Sequence, residues 1–251
     1  MPVALITGAT SGFGEACARL FAKNGWSLII SGRRSERLDA LAKELDQTPV
    51  HAVTLDVRDK AAVDRAVAEL PPAFAAIDLL VNNAGLSLGF ERAHEGSAED
   101  WETMVDTNVK GLLNVTHAVL PGMVERDHGH VVNLGSIAGN YPYLFGNVYG
   151  ASKAFVGRFT QNLKADLLGT KVRVTNIEPG MAETEFGKVR FKWDAEKAAK
   201  AYENMTPLTA EDIAETIYWA ASRPPHVTVT SIEIWPTQQS FGFFSIHRDE
   251  E

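Results

Sequence analysis

Short runs of aliphatic and β-branched residues alternate with stretches of helical periodicity along most of this chain. Strands are predicted at residues 3–7, 27–31, 50–55, 77–82, 130–134, 171–177 and 231–235. Helices are predicted between them, at residues 12–24, 35–45, 60–70, 98–125, 149–168 and 209–221. Several strands are nearly continuous apolar runs, such as Leu28-Ile29-Ile30, which is typical of parallel strands covered on both faces. The alternation therefore predicts an α/β protein with a doubly wound, mostly parallel seven-stranded sheet and helices on both faces.

No composition shift, low-complexity segment or internal repeat divides the chain. Its 251 residues are within the range of one α/β domain. The pairs Pro71-Pro72 and Pro224-Pro225 are each followed within a few residues by another predicted strand. We interpret both pairs as connections, and residues 1–251 as a single domain.

Charge and composition argue against several kinds of partner. A formal net charge of −8 disfavours nucleic acid and anionic membranes. No apolar run approaches the roughly 18 residues of a membrane span, and no basic region precedes the first strand as in a signal peptide. Cys17 is the only cysteine, which fits a reducing compartment and predicts a cytoplasmic protein. The seven histidines lack the paired spacing of a zinc site, so no metal is predicted.

A glycine-rich turn follows the first predicted strand directly. A pyrophosphate needs backbone N–H groups at close range, and glycines leave no Cβ in its way. The helix that follows adds the positive end of its dipole. A tight structural turn is the alternative, but the position after the first strand favours a Rossmann-like dinucleotide site. Its predicted contact residues are Gly8, Thr10, Ser11, Gly12, Phe13 and Gly14.

The end of the second strand indicates which dinucleotide is bound. Chains that select NAD usually place a carboxylate there for the ribose 2′-hydroxyl. Here Gly32 occupies the acidic position and is followed by Arg33 and Arg34. Arginine pairs bidentately with phosphate, so these residues predict NADP as the cofactor. The alternative is that both arginines are solvated residues of the loop.

Tyr149 and Lys153 are spaced to project from one face of a helix. A tyrosine titrates near about 10 and is a poor base at neutral pH. An ammonium about 4 Å away would favour the phenolate by up to about 4 kcal/mol. This spacing therefore predicts that Lys153 lowers the pKa of Tyr149 toward the range of general acid–base catalysis. The alternative is an ordinary pair on the helix surface.

Six ordered motifs together resemble the short-chain dehydrogenase/reductase family over essentially the whole chain. They are residues 7–14, Asn82-Asn83-Ala84-Gly85, Asn108, Ser136, Tyr149-Gly150-Ala151-Ser152-Lys153 and Pro179-Gly180. The resemblance implies an oxidoreductase in which Tyr149 exchanges the proton of the substrate and Lys153 also bonds the nicotinamide ribose. It further implies that Ser136 holds the substrate oxygen and that Asn108 positions a water in a proton relay.

The resemblance also implies further cofactor contacts. Asp56 and Val57 follow the third strand and resemble the segment that contacts adenine. A second group lies where the fourth strand of the family meets the cofactor: Asn83, Ala84 and Gly85. A third group resembles the segment that holds the carboxamide: Pro179, Gly180, Ala182 and Thr184. Ala182 stands where the family commonly has a β-branched residue, but its backbone offers the same contact.

Within the family, the chain is similar to bacterial NADP-dependent 3-hydroxy acid dehydrogenases. The similar segments include residues 100–104, 120–126 and 189–192. The similarity implies serine, allo-threonine or malonic semialdehyde as substrates, held by Ser136, Tyr149 and a cation for the carboxylate. Arg190 is our hypothesis for that cation, and residues 184–206 for a lid. A solvated basic helix is the alternative for Arg190.

The sequence leaves two alternative functions open. A carbonyl reductase for bulkier ketones is one alternative, and a regulator that binds NADP without turnover is another. The four catalytic residues are all present, which counts against the regulator.

The C-terminal tail, residues 236–251, contains apolar side chains that a monomer would expose: Phe241, Phe243 and Phe244. The family resemblance implies a homotetramer in which the tail packs on a partner; otherwise it folds back onto its own subunit.

Overall fold

The computed structural model describes residues 1–242 and 245–249. Within these ranges the chain forms one seven-stranded sheet, with every neighbouring pair parallel, in the order β3-β2-β1-β4-β5-β6-β7. The strands are β1 (Val3–Thr7), β2 (Ser27–Gly32), β3 (Val50–Thr54), β4 (Leu79–Asn82), β5 (Gly129–Leu134), β6 (Val172–Pro179) and β7 (Ser231–Ile234). The doubly wound, seven-stranded fold predicted from the sequence is confirmed, and Phe243 and Phe244 of the predicted tail lie outside the described residues.

Nine α-helices are found in the described part of the chain. They are α1 (Gly12–Lys23), α2 (Ser35–Glu44), α3 (Lys60–Ala68), α4 (Ala98–Val105), α5 (Leu112–Glu125), α6 (Asn147–Asp166), α7 (Glu185–Arg190), α8 (Ala195–Lys200) and α9 (Ala210–Ala221). The single helix predicted at residues 98–125 is divided by a π-helical turn, Asp106–Gly111. Hydrophobic periodicity does not distinguish that wider turn from an α-helical one, so the sequence pattern did not show the division.

Alternate residues of each central strand enter the two cores on opposite faces of the sheet. Ile6 of β1 packs with Phe21 of α1 and Ile217 of α9. Leu5, its neighbour on β1, packs with Val119 of α5 on the other face. Full burial of such side chains contributes about 1.5–3 kcal/mol each. The continuous apolar runs in the sequence thus reflect strands that are covered on both sides.

The strand order reverses between β1 and β4, because β1 is followed by β2 on one side and has β4 on the other. Open parallel sheets bind ligands in the crevice beyond the carboxyl ends of the strands at such a reversal. A hydrogen bond joins the carboxyl ends of β1 and β4 at this reversal: the Thr7 hydroxyl accepts from the backbone N–H of Asn83 at 3.0 Å. Among the described residues, no helix is long and apolar enough to cross a membrane.

Candidate active site

A cavity of about 750 Å³ opens at the carboxyl ends of the strands. Most of the predicted site residues line it, although they come from six separate connections of the sheet. These are Gly8, Thr10, Ser11, Gly12, Phe13, Arg33, Arg34, Asp56, Val57, Asn83, Ala84, Gly85, Ser136, Tyr149, Lys153, Pro179, Gly180, Ala182, Thr184 and Arg190. Two predicted residues do not line it: Gly14 and Asn108.

The turn after β1 exposes backbone atoms of glycines, which have no side chain, to the cavity. Gly8 and Gly12 have φ values of +67° and +55°, a region that favours glycine. A Cβ on Gly8 would lie 3.0 Å from the Cα of Ala84, so a side chain there would also collide with the β4 connection. The Asn83 side-chain amide holds the turn by donating to the carbonyl oxygens of Thr7 and Gly8, at 2.8 and 3.1 Å. Asn83 therefore stabilises the conformation of the glycine-rich turn through these two hydrogen bonds.

Gly14 lies behind this turn. A Cβ on Gly14 would stand 2.5 Å from the Asn83 amide nitrogen and 2.6 Å from the Gly8 carbonyl oxygen. The glycine thus lets α1 pack closely on the β1 turn, which is a role of the third glycine in dinucleotide sites. Gly14 therefore has a packing role in the structure, and a cofactor contact at this residue stays a prediction.

The two predicted phosphate-binding arginines differ in their surroundings. Arg33 is exposed and has no ion pair with a carboxylate in the described residues. Arg34 donates to the Thr10 hydroxyl at 2.8 Å and to Glu185 at 2.6 Å. Arg37, one helical turn further along α2, also contacts Glu185, at 3.0 Å. Sequence reasoning missed Arg37 and Glu185, although the place of Arg37 in the first turn of the helix predicted at residues 35–45 puts it near Arg34.

The predicted adenine segment is held by a local ion pair. Asp56 accepts from the Arg58 guanidinium at 2.6 Å. The hydrogen bond with Arg58 lowers the pKa of Asp56 despite partial burial, so this carboxylate is ionised at neutral pH. Val57 next to it packs against Gly111, where a Cβ would lie 2.5 Å from the Val57 side chain.

Ser136 and Tyr149 meet at the centre of the cavity. Ser136 follows β5, and its hydroxyl oxygen accepts from the Ala138 N–H at 3.1 Å and lies 3.4 Å from the Pro179 carbonyl oxygen. Tyr149, near the start of α6, is 8% exposed, and its hydroxyl interacts with the Ser136 side chain. Two hydroxyl groups therefore converge where a substrate oxygen would be bound.

Lys153 is buried one turn along α6, and its ammonium donates to the Leu134 carbonyl oxygen at 2.7 Å. Burial lowers the pKa of Lys153 to about 8. Burial also raises the pKa of Tyr149 above its ordinary value, and the effects of Ser136 and Arg190 offset only part of this. The expectation that Lys153 makes Tyr149 acidic is therefore wrong for this arrangement. The desolvation of a buried phenol outweighs the attraction of a cation that is bonded elsewhere.

Asn108 lies in the π-helical turn and is almost fully buried. Its side chain accepts from the Leu86 N–H and donates to the Leu86 carbonyl oxygen, both at 2.8 Å. It also donates to the Ser152 hydroxyl at 3.0 Å. These bonds use the side-chain amide to fix the β4 connection against α6. Its assignment to a water relay stays a prediction.

Arg190 closes the other side of the cavity. It is 7% exposed, at the end of α7, and one of its terminal nitrogens donates to the Tyr143 hydroxyl at 3.1 Å. The guanidinium carbon lies 4.8 Å from the ring centre of Phe90 and 5.9 Å from that of Tyr149. Its Nε has no hydrogen-bond partner, and no carboxylate of the described chain lies within 4 Å. The structure contradicts the alternative of a solvated basic helix at Arg190, because aromatic rings cover it.

The segment after β6 joins these groups to the predicted lid. The Gly180 N–H donates to the Ile234 carbonyl oxygen at 2.8 Å. Ala182 bridges to Leu208, and its carbonyl oxygen accepts from Tyr202 at 2.9 Å. The Thr184 side chain lies 3.3 Å from the position that a Cβ on Gly12 would take. The start of residues 184–206 therefore rests directly on the glycine turn.

This cavity fits a phosphorylated dinucleotide. Glycines with positive φ expose backbone at one point, and arginines line the cavity beyond it. A buried lysine and a buried tyrosine also line the cavity, and the tyrosine lies close to Arg190. Within the described residues, no group of three or more histidine, cysteine, aspartate or glutamate side chains is arranged to hold a metal ion.

Comparison with known proteins agrees with this geometry. The sequence profile of the family described as short chain dehydrogenase matches residues 2–195. The chain is 57% identical to an NADP-dependent 3-hydroxy acid dehydrogenase of Salmonella typhi, over 98% of this chain and 99% of that protein. It is 55% identical to sulfoacetaldehyde reductase 2 of Chromohalobacter salexigens, with coverages of 98% and 99%.

A solved structure extends the likeness to three dimensions. The closed form of serine dehydrogenase complexed with NADP+ is 53% identical, with a TM-score of 0.93 over 98% of this chain and 100% of that one. Together, the matching profile, the near full-length identities and the shared fold establish the relationship. The chain belongs to the short-chain dehydrogenase family.

Proposed function

We propose that the protein transfers a hydride between NADP and the 3-hydroxyl group of short 3-hydroxy acids. Candidate substrates are serine, allo-threonine and 3-hydroxypropionate, the last being the reduced form of malonic semialdehyde. The observation that supports this most is one arrangement: Tyr149 lies close to both the Ser136 hydroxyl and the buried Arg190 guanidinium, whose carbon is 5.9 Å from the centre of its ring. The cavity thus combines a site for a reacting oxygen with a site for an anion.

The residues that would hold the cofactor follow from their positions around the cavity. Backbone N–H groups of the glycine turn would bind the pyrophosphate, because they approach it without a Cβ. Arg33, which forms no ion pair within the described residues, would bind the 2′-phosphate. Lys153, whose ammonium lies 5.9 Å from the centre of the Tyr149 ring, would bind the nicotinamide ribose. The backbone of Ala182 and Thr184 would bind the carboxamide group of the nicotinamide. When bound, the nicotinamide supplies and accepts the hydride.

Tyr149 would move the proton of the reaction. Because its pKa is raised, the phenol is protonated at neutral pH and is ready to act as an acid. In carbonyl reduction, the phenol O–H bond breaks and its proton passes to the substrate oxygen, which Ser136 also holds. In oxidation the same proton returns, and this direction requires the phenolate.

Arg190 would hold the anionic end of the substrate. A buried guanidinium without a carboxylate partner is costly, and an anion that enters the cavity would offset that cost. Aromatic rings of Phe90 and Tyr143 keep the group in place and exclude water. A charge-assisted hydrogen bond in such surroundings is strong. This arrangement favours short acids over uncharged alcohols.

A substrate panel tests the proposal directly. Purified protein is assayed for formation of reduced cofactor with L-serine, L-allo-threonine and 3-hydroxypropionate, each with NADP+ and with NAD+. We expect turnover of the acids with NADP+, and far less with NAD+ or with 1-propanol. Bulky uncharged ketones and NADPH form the contrasting arm. Preference for those ketones over the acids would refute the substrate proposal, and absence of any turnover would favour the regulator.

A sulfonated aldehyde is a second candidate substrate. A guanidinium receptor binds sulfonate as well as carboxylate oxygens, and the chain is 55% identical to sulfoacetaldehyde reductase 2 over 98% of its length. The same panel includes sulfoacetaldehyde with NADPH. Comparing kcat/KM for sulfoacetaldehyde and malonic semialdehyde then decides which anion the cavity prefers.

Assembly into a homotetramer and a cytoplasmic location stay predictions. Apolar side chains available to a partner include Phe241, which is 73% exposed, and Trp219, which is 48% exposed. Phe241 also contacts its own subunit, with ring centres 5.7 Å from Trp235 and 5.9 Å from Tyr141. Sedimentation velocity measures the assembly, and cell fractionation the location.

A further inference from the structure

Glu185 fastens the start of α7 to two arginines at the start of α2, the N-cap residue Arg34 and Arg37 in the first turn. Its carboxylate lies between two guanidinium groups, 2.6 Å from Arg34 and 3.0 Å from Arg37. These contacts join parts of the chain that are 151 and 148 residues apart. The predicted lid, residues 184–206, is thus held at its first turn by two ion pairs.

The network is built with defined orientation. Arg34 donates to the Thr10 hydroxyl from two of its nitrogens, at 3.1 and 2.8 Å, and to the Ser11 hydroxyl at 2.9 Å. The guanidinium is therefore fixed against the glycine turn. Glu185 is 19% exposed, and its hydrogen bonds with Arg34, Arg37 and Ser11 lower its pKa against the effect of burial. The carboxylate is ionised at neutral pH.

Arg34 lies where a cofactor phosphate is expected, and Arg37, which does not itself line the cavity, joins it through Glu185. Arg33 and Arg34 follow β2 and line the cavity, and so does Glu185. Of the three guanidinium groups here, Arg34 and Arg37 already hold a carboxylate, whereas Arg33 has no such partner among the described residues. An internal anion therefore occupies N–H donors that a 2′-phosphate would use.

We propose that Glu185 is a specificity-determining residue that competes with the 2′-phosphate of the cofactor for Arg34 and Arg37. The proposal rests on the proposed use of NADP. A phosphate dianion and a carboxylate repel each other and compete for the same N–H donors, so phosphate binding would weaken or break the contacts of Glu185. The start of α7 is then released from the glycine turn. NAD, which has no 2′-phosphate, leaves the contacts intact.

Binding of cofactor fragments tests the competition without catalysis. Calorimetry compares adenosine 2′,5′-bisphosphate with adenosine 5′-monophosphate, on wild type and on Glu185→Gln. We expect the variant to bind the bisphosphate about three- to tenfold more tightly, and the monophosphate unchanged, since each half-exposed ion pair contributes little. Glu36→Gln on exposed α2 surface makes the same change in net charge and is expected to leave both affinities near wild type.

Amide hydrogen exchange gives the second measurement. In wild type, the bisphosphate should speed exchange of the α7 amides, whereas the monophosphate should not. In Glu185→Gln these amides should already exchange faster, with little further change on adding the bisphosphate. Because neither fragment carries nicotinamide, neither contacts the lid through that group. A difference in exchange between the two fragments therefore reports the effect of the 2′-phosphate.

The outcomes separate this proposal from the one on which it rests. Selective binding of the bisphosphate by wild type, with equal or weaker binding by Glu185→Gln, would overturn the competition but leave NADP use intact. Slower exchange of α7 on adding the bisphosphate would also overturn it. Equal binding of both fragments by wild type would remove the NADP assignment, and this proposal with it.

Discussion

The ammonium group of Lys153 donates a 2.7 Å hydrogen bond to the carbonyl oxygen of Leu134, the last residue of β5. This bond ties the middle of α6 to the end of the strand that leads to Ser136. Tyr149 stands one turn earlier on the same helix, so its position follows from that anchor. This hydrogen bond gives the ammonium group one acceptor, but it does not remove the free-energy penalty of burying the charge.

Replacing Lys153 with methionine should stabilise the cofactor-free protein at pH 7. The pKa of Lys153 falls from 10.5 to about 8 on folding, which corresponds to a burial penalty of about 3 kcal/mol. Below pH 8 that penalty is fully present, because both states carry the proton. Allowing for the lost bond to Leu134, we expect a gain of roughly 1–2 kcal/mol.

The pH dependence of that gain distinguishes charge from packing. Between about pH 8 and 10.5 the folded wild type has lost the proton and the unfolded chain has not, so wild-type stability rises with pH. The advantage of Lys153→Met should therefore shrink from pH 7 to pH 9.5 in urea unfolding experiments. A constant advantage over this range would contradict a charge penalty at Lys153.

Replacing Tyr149 with phenylalanine should abolish proton transfer but preserve the cavity. We expect kcat/KM to fall about 10³-fold or more, in keeping with the usual contribution of a general acid. NADP+ affinity, measured by fluorescence titration, should stay within a few-fold of wild type. Tyr218→Phe on α9, whose ring packs against Phe21 far from the cavity, is the matched control. Near-normal turnover by Tyr149→Phe would exclude its role.

Replacing Arg190 with methionine should affect charged substrates selectively. Loss of a charge-assisted hydrogen bond predicts a decrease in kcat/KM of about tenfold to hundredfold for serine, mainly through KM. A short uncharged aldehyde should lose much less. Lys188→Met, an exposed cation on the same helix, is the control. Equal losses for both substrates would place Arg190 outside the anion site.

Replacing Gly14 with alanine should destabilise the protein and weaken cofactor binding together. The new Cβ would lie 2.5 Å from Asn83 and 2.6 Å from the Gly8 carbonyl, so α1 or the glycine turn must move. Overpacking of this kind costs about 1–3 kcal/mol.

Gly157→Ala on α6 tests the opposite expectation for the same substitution. Its Cβ would meet neighbours only at 3.5 Å or more, so the gain in helix propensity should stabilise the fold by up to about 1 kcal/mol. Both variants are compared by thermal unfolding. If Gly14→Ala were as stable as Gly157→Ala, the close-packing role of Gly14 would be wrong.

Local spacing in the sequence was sufficient to predict the fold and the chemistry-bearing segments. Strand and helix periodicity located seven strands along the chain, and the structure contains all seven. Spacing four residues apart placed Tyr149 and Lys153 on one helix, and both line the cavity. These features depend on neighbours along the chain, so a sequence displays them.

Only the tertiary structure decided what those side chains contact and how they titrate. The pairing of Glu185 with Arg34 spans 151 residues, and the approach of Arg190 to Tyr149 requires α7 to fold over α6. The pKa of Tyr149 moves opposite to the direction expected from Lys153, because burial depends on every element packed around the phenol. Sequence spacing determined which groups are present at the site. Their desolvation and partners were decided by contacts between segments distant in the chain, which no local pattern encodes.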